Sequence, residues 1–455
     1  MTGAAQWDTS ADQSKTKAPV AASGAATAVA TAVVNNPLPG VAGVGLTGPS
    51  SVVKFGSMAA PKDAQCTPIT RMASEFEKAT SGRLIAVNDN YISYSIKGNL
   101  IRVIHFVQVT RNKLAAHPAQ VVDIEFAGRD RDLLASLDVA GTLRIRRIFE
   151  SDEGCQYTTE IEARLPLSGA ATRVCWGPAG SNTVAVACDN TVVIMNYQKA
   201  QLVAKPTGAS QVPLFTPGAV ADCGSCASGH DGAVKDVQFS PDFGHLLTAS
   251  EDGSVRVWQT KAGDPNTYAK PHTSMSCVMS MVAHGGAPVD TAAFVGVPFI
   301  GTSDTWSVVT GSSNNSVLRL WRTGSVSSSS STPWSMAHEV MLESDDNAWT
   351  NVAVDDSSKF ILLANAKQNA CHVLHLADDA SSFDLLTQWN IAHPILSFVP
   401  DTASASGDNA PAQEDYEIRC FCIQTKAISK YTFQPSECVP VVTAAPAAPV
   451  DAPKR

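Results

Sequence analysis

Four histidines each follow a small residue: Ala116-His117, Gly229-His230, Ala283-His284 and Ala392-His393. An imidazole changes charge near neutral pH, so each is a candidate base. Around His230 the neighbouring residues argue for another role. A buried indole N–H, such as that of Trp258, needs an acceptor. The Thr248 hydroxyl can accept it and donate onward to His230, and Asp252 can fix the other imidazole nitrogen. His230, Thr248, Asp252 and Trp258 therefore read as a structural tetrad rather than a catalytic centre.

Cys223 and Cys226 form a CxxC. A structural zinc wants four ligands, and no second pair accompanies them, so no metal is expected. Asp355-Asp356 and Asp378-Asp379 are adjacent carboxylates on turns. Sequence neighbours on a strand point to opposite faces, which argues against a shared acid/base site. No Walker-type phosphate loop, HExxH or GxSxG occurs with suitable flanks. No catalytic residue and no cofactor is expected. Residues 81–148 hold ten Lys or Arg against six Asp or Glu, within a chain of net charge −9. Arg102, Arg144, Arg146 and Arg147 on this stretch are candidate contacts for RNA or a partner, and phosphate-driven binding there would weaken as salt rises.

The elements that position these residues are short Val/Ile/Leu-rich runs separated by Gly, Asn, Asp and Pro, which is strand-and-turn punctuation. The four histidines are separated by 113, 54 and 109 residues, close to multiples of about 55. Ala337-His338 also falls on this spacing, but no strand pattern follows it at the right distance. The clearest unit, Gly229 to Trp258, reads GHDGAVKDVQFSPDFGHLLTASEDGSVRVW. Its runs VKDVQF, LLTAS and SVRVW are strands, and Asp252-Gly253 is a tight hairpin turn. This is the WD-repeat signature. Degenerate copies run from Leu84 to His105, His117 to Arg146, Arg173 to Met195, His284 to Trp321, Asn351 to Leu376 and His393 to Phe433. In the second of these Arg146 stands where Trp258 stands in the clear unit. The expected fold is all-β, a seven-bladed WD-repeat β-propeller with disordered N- and C-terminal tails. Six or eight blades remain open, because blade ends blur by several residues.

Apolar residues make up 44% of the chain and charged residues only 16%. Residues 1–75 are low in large apolar side chains and are expected to stay unfolded, because little burial is available to offset chain entropy. The propeller is expected over 80–435, followed by a disordered Ala/Pro tail over 436–455. Eleven scattered cysteines without a framework fit reduced thiols and a cytosolic setting. No run is apolar enough to span a membrane.

Three segments carry a more specific likeness. GRLIAVNDNYISYSIKGNLIRVI (82–104), the clear unit with its Trp258-Gln259 ending, and AHPILSF (392–398) with EIRCFCIQTKAISKYTFQP (417–435) resemble the propeller of the enhancer-of-mRNA-decapping scaffolds, whose plant member is Varicose. The likeness covers Gly82 to Pro435. It implies a cytoplasmic, processing-body scaffold without enzymatic activity. Such a scaffold assembles the decapping catalytic subunit with its activators and promotes 5′ cap removal and mRNA decay. Members of the family are much longer, with a C-terminal helical region used for self-association, whereas this sequence stops in an Ala/Pro tail. Two other readings compete. One is a generic WD-repeat adaptor, such as a substrate receptor of a ubiquitin ligase. Its usual WDxR blade ending is not matched by Trp258-Gln259-Thr260 or Trp321-Arg322-Thr323. The other is a propeller with weak direct RNA contact.

Overall fold

A computed structural model describes residues 32–33, 43–54, 61–71, 82–166, 169–178, 180–203, 215, 223–260, 275–296, 306–323, 334–343, 349–404 and 416–440. The tight turns marked in the sequence fold as hairpins between antiparallel strands. Gly253 sits at φ +78°, and a Cβ there would lie 2.7 Å from the Gly286 backbone, so both conformation and space require glycine.

Five short strands lie before the first repeat: β1 (Ala32–Val33), β2 (Gly43–Gly45), β3 (Ser50–Lys54), β4 (Lys62–Asp63) and β5 (Gln65–Arg71). The first blade comprises β6 (Ile85–Val87), β7 (Tyr91–Ile96), β8 (Leu100–His105) and β9 (Arg111–Leu114). The second holds β10 (Val121–Phe126), β11 (Leu133–Asp138), β12 (Thr142–Ser151) and β13 (Gly154–Arg164). The third holds β14 (Ala171–Trp176), β15 (Thr183–Cys188), β16 (Thr191–Asn196) and β17 (Gly224–Ser228), with helix α1 (Tyr197–Val203) before its last strand. The fourth, the clear repeat, holds β18 (Val234–Phe239), β19 (His245–Ser250), β20 (Ser254–Gln259) and β21 (Cys277–Val282). The fifth holds β22 (Val289–Val295), β23 (Ser307–Ser312), β24 (Val317–Arg322) and β25 (Ser335–Glu343). The sixth holds β26 (Trp349–Val354), β27 (Phe360–Asn365), β28 (Ala370–Leu376) and β29 (Phe383–Asn390). The seventh holds β30 (Ile395–Ser404), β31 (Tyr416–Gln424) and β32 (Ala427–Phe433).

The innermost strands succeed one another in blade order, and β30 of the last blade meets β6 of the first, so the ring is closed. One apolar cluster fills each gap between adjacent blades. Each sheet is therefore covered on both faces, and every residue of the second strands β11 and β15 is buried. His338 lies within β25 rather than before a blade, so its spacing in the sequence is a coincidence.

The expectation of an unfolded arm over residues 1–75 is corrected for the described segments 43–54 and 61–71. Strand β3 runs parallel to β25 on the fifth blade, and β2 runs antiparallel to β29 on the sixth. Strand β5 pairs antiparallel with β32 and supplies the fourth strand of the seventh blade. These segments hold few large side chains, but each adds to a sheet edge that already presents its hydrogen-bonding groups. Val44, Leu46, Val52 and Val53 are buried there. Pro68 is tolerated within β5 because the strand is outermost and one side of it needs no backbone donor. The C-terminal boundary also moves: Cys438 is fully buried in the cluster between the sixth and seventh blades, so order continues past residue 436. Residues 1–31 and 441–455 and the serine run Ser327–Ser331 lie outside the described residues. Among the described residues no helix is long and apolar enough to cross a membrane.

Candidate functional site

The fourth blade holds the hydrogen-bonded chain expected from its residue types. Trp258 Nε1 donates to Thr248 Oγ1 at 2.9 Å, and His230 Nε2 lies 2.7 Å from the same oxygen. His230 Nδ1 is 3.1 Å from Asp252 Oδ2. Burial pushes the Asp252 carboxyl up. Hydrogen bonds from His230, Ser254 and the Asp231 backbone outweigh that and hold it well below the ordinary carboxylate range. Burial pushes His230 down against the pull of Asp252. Both imidazole nitrogens are occupied, so the ring offers nothing to a substrate.

The degenerate repeats keep parts of this chain. In the fifth blade His284 Nε2 and Trp321 Nε1 meet Thr310 Oγ1 at 2.8 and 2.9 Å. In the second blade His117 Nε2 lies 2.9 Å from Ser136 Oγ, and Asp138 is 3.5 Å from the other ring nitrogen. Burial lowers His117 to about 4 and His284 to about 3.

Of the four arginines proposed as an RNA or partner contact, two turn into the blade. Arg146 is 1% exposed; its guanidinium donates to the Ala115 carbonyl at 2.9 Å and sits over the Tyr157 ring. Burial lowers it to about 9. Arg144 is buried, paired with Glu162 and bonded to the Ala115 and Ala116 carbonyls. Arg147 is half-exposed, but Glu160 pairs with it at 2.5 Å. Arg102 is half-buried on β8 of the first blade. Of the cations in this stretch Arg144 and Arg146 are buried inside the blades, whereas Lys97, Arg111, Lys113, Arg129 and Arg147 stay exposed.

The remaining candidates serve packing and turns. Cys223 is buried beside Tyr197 and Phe215, and Cys226 packs against the same cluster. Among the described residues no group of three or more His, Cys, Asp or Glu could hold a metal ion. Asp355 accepts the backbone N–H groups of Ser357, Lys359 and Phe360, closing a turn. Asp378 pairs with Lys359.

Two sets of residues were missed at the level of sequence. The first stitches the inner strands together. The Asp123 carboxylate holds Arg83 at 3.0 Å and accepts the Val174 N–H at 2.8 Å. Arg173 lies between Asp123 and Asp236, at 3.7 and 2.9 Å. Asp236 in turn accepts the Ala292 N–H, and Ser397 accepts the Leu84 N–H across the ring closure. Asp123, Arg173, Asp236 and Ser397 each occupy the third position of an innermost strand, a recurrence visible in VVDIEF, ATRVCW, VKDVQF and ILSF.

The second set lines a cleft of ≈ 310 Å³ where the last blade meets the first. One wall is formed by Val87, Asn88, Asp89 and Phe106 of the first blade, with Arg129 from the second. The other is formed by Thr67, Ile69, Asp401, Arg419, Phe421 and Lys430 of the seventh. Cross-strand register explains the second wall: Asp401 pairs with Arg419 in one row, and Phe421, Lys430 and Thr67 share the next. Ile69 falls at a bulge in β5, which re-aims its side chain. Phe106 and Phe421 face each other with ring centroids 5.6 Å apart. Arg129 holds Asp89, Asp356 and Asp401 at 3.3, 3.5 and 3.1 Å. Burial raises Asp401 to about 6; Arg129 pulls it down, and neighbouring Asp356 and Asp89 push it further up. The sequence signal for this cleft lay in the segments 82–104 and 417–435, whose ends converge on it.

A family model for the "WD40 region of Ge1, enhancer of mRNA-decapping protein" matches residues 66–381. The chain belongs to that family. The enhancer of mRNA-decapping protein 4 of Danio rerio is 24% identical over 78% of this chain. The protein of the same name in Homo sapiens is 23% identical over 79%. The chain spans 28% of the length of each of these relatives. Among solved structures, the WD40 domain of Toxoplasma gondii coronin superposes with a TM-score of 0.54 at 12% identity, covering 83% of this chain and 87% of the other. A chain of the mitotic checkpoint complex gives 0.53 at 11% identity, covering 83% and 94%. At such identities these two show the propeller fold alone. The matched family residues 66–381 begin within β5, the outermost strand of the seventh blade.

Proposed function

We propose that the chain is a non-enzymatic binding platform that promotes mRNA decapping and 5′-to-3′ mRNA decay, acting in the cytoplasm within processing bodies. Membership of the Ge1 family is the observation that carries this reading. The propeller suits the role, because a closed ring leaves rigid loops and blade junctions for capturing partners. The histidines most suited to catalysis are tied into packing, which fits a protein that holds an enzyme rather than being one. The expected partners are the decapping catalytic subunit and its activators. The test is co-precipitation of the tagged full chain from cells of its source. Decapping proteins should be enriched over an unrelated seven-bladed propeller. A folded chain that recovers none of them overturns the proposal.

A further inference from the structure

We propose that the cleft between the seventh and first blades binds a short linear segment of a protein partner. An apolar or aromatic side chain of that segment seats against Phe106 and Phe421, and a neighbouring carboxylate meets Arg419 and Lys430. This deepens the platform reading and rests on it for the identity of the partner, though not for the chemistry of the site.

The cations are the first argument. Arg419 lies 3.6 Å from Glu417 and 3.9 Å from Asp401, too far for hydrogen bonds, and its buried Nε has no acceptor. Lys430, in the adjacent row, has no side-chain partner among the described residues. Two cations in neighbouring rows of one sheet, neither hydrogen-bonded, complement a carboxylate.

The apolar surface is the second. Phe106, Phe421, Val87 and Ile69 form the hydrophobic lining. The turn that carries Phe106 continues outward with Val107, 84% exposed, and Val109, 59% exposed. Val109 lies at φ +55°, a conformation that a β-branched residue rarely adopts. The backbone N–H groups of Val107 and Gln108 both donate to His105 Nδ1 at 3.1 Å, which holds the turn in place. Strained backbone that presents apolar side chains to water points to a site of recognition. The cleft volume of ≈ 310 Å³ lies at the small end for ligand sites and suits one or two side chains, while the valines extend the contact along a chain.

Charge favours peptide over nucleic acid. Asp89 and Asp401 line the same cleft, and Asp356 and Glu417 stand beside its arginines. A single carboxylate can settle on Arg419 and Lys430, but a run of phosphates would meet four acids.

Short random peptides displayed on phage, panned against the full chain, test this. The enriched sequences should carry Asp or Glu within two positions of an aromatic residue or leucine. A synthetic peptide of that consensus, followed by fluorescence anisotropy, should bind about tenfold more weakly to Lys430→Glu and to Phe106→Ala. Arg147→Gln, on the second blade, should bind it as the parent chain does. Lys430 and Phe106 are only partly buried, and unchanged melting temperatures confirm that these variants fold. Failure to enrich such a consensus, or a consensus peptide indifferent to both variants, overturns the proposal. So does a short oligouridylate that binds with steep salt dependence and is lost in Lys430→Glu, which would make the cleft a nucleic-acid site. If decapping proteins still co-precipitate equally with Lys430→Glu, the cleft is not what holds them, its assignment to a decapping partner is wrong, and the platform stands. If the cleft binds its consensus but no decapping protein is recovered, the platform is wrong and the cleft stands.

Discussion

At the scale of single residues, the tetrad shows how a potentially reactive histidine is spent on architecture. Trp258 is 2% exposed and bonds to a threonine that also engages His230. Trp258→Ala removes the largest fully buried side chain and leaves a cavity, so a loss of about 3–5 kcal/mol is expected. Thermal unfolding checks it, and an unchanged melting temperature refutes the packing role. The buried histidines also set a pH dependence. His117 and His284 fall from an ordinary 6.5 to about 4 and about 3 in the folded chain. The unfolded chain therefore binds more protons below pH 6.5, and stability is lost as pH drops from there towards the folded values. Asp401, raised to about 6, acts in the opposite direction over the upper part of that window. Among the described residues six histidines are lowered by burial, His117, His230, His245, His284, His338 and His372, against four raised carboxyls, Glu125, Asp290, Asp355 and Asp401, so the melting temperature should decline between neutral pH and about 4. His117→Gln should flatten that decline.

At the scale of elements, legibility followed how much of a strand's reason for existing lay in its own residues. Strands β18 to β20 announce themselves through VKDVQF, a Ser-Pro-Asp turn and Asp-Gly. Strands β3 and β5 do not, because most of what fixes them belongs to β25 and β32. QCTPITR contains a proline and is largely exposed, so nothing local distinguishes it from loop. Arg144 and Arg146 are hidden for a different reason. A count of charges along β12 does not say which side chains turn inward, and Arg146 took the place of a tryptophan without losing its partners. The cleft was legible only as two familiar segments; their convergence depends on ring closure. Truncation tests the borrowed strand. A chain beginning at residue 61 keeps β5, whereas one beginning at 72 leaves β32 with a bare edge. The shorter chain should aggregate or melt in a broad, non-cooperative transition, seen by light scattering and circular dichroism. Equal behaviour of the two chains would show that β5 is dispensable.

At the scale of the whole molecule, a ring is as strong as its joints. The polar residues at the third position of the inner strands tie four consecutive blades through Arg83, Asp123, Arg173 and Asp236. Asp123 is fully buried and faces two guanidinium groups. Asp123→Ala leaves both without their shared counter-ion, and a cost of about 3–5 kcal/mol is expected, read from the urea midpoint. A midpoint that does not move would mean that apolar packing alone closes this side of the ring.

The pairing of residues 65–71 with residues 427–433 also has a consequence in time. A ribosome makes β5 several hundred residues before β32, so the earlier segment must wait, unsatisfied, for the later one. Blades can form singly as they emerge, since each of the first four is built from consecutive strands. The final latch cannot, and such distant pairing slows folding. The nascent propeller therefore stays an open arc until its seventh blade emerges, and this interval is when it most needs chaperones.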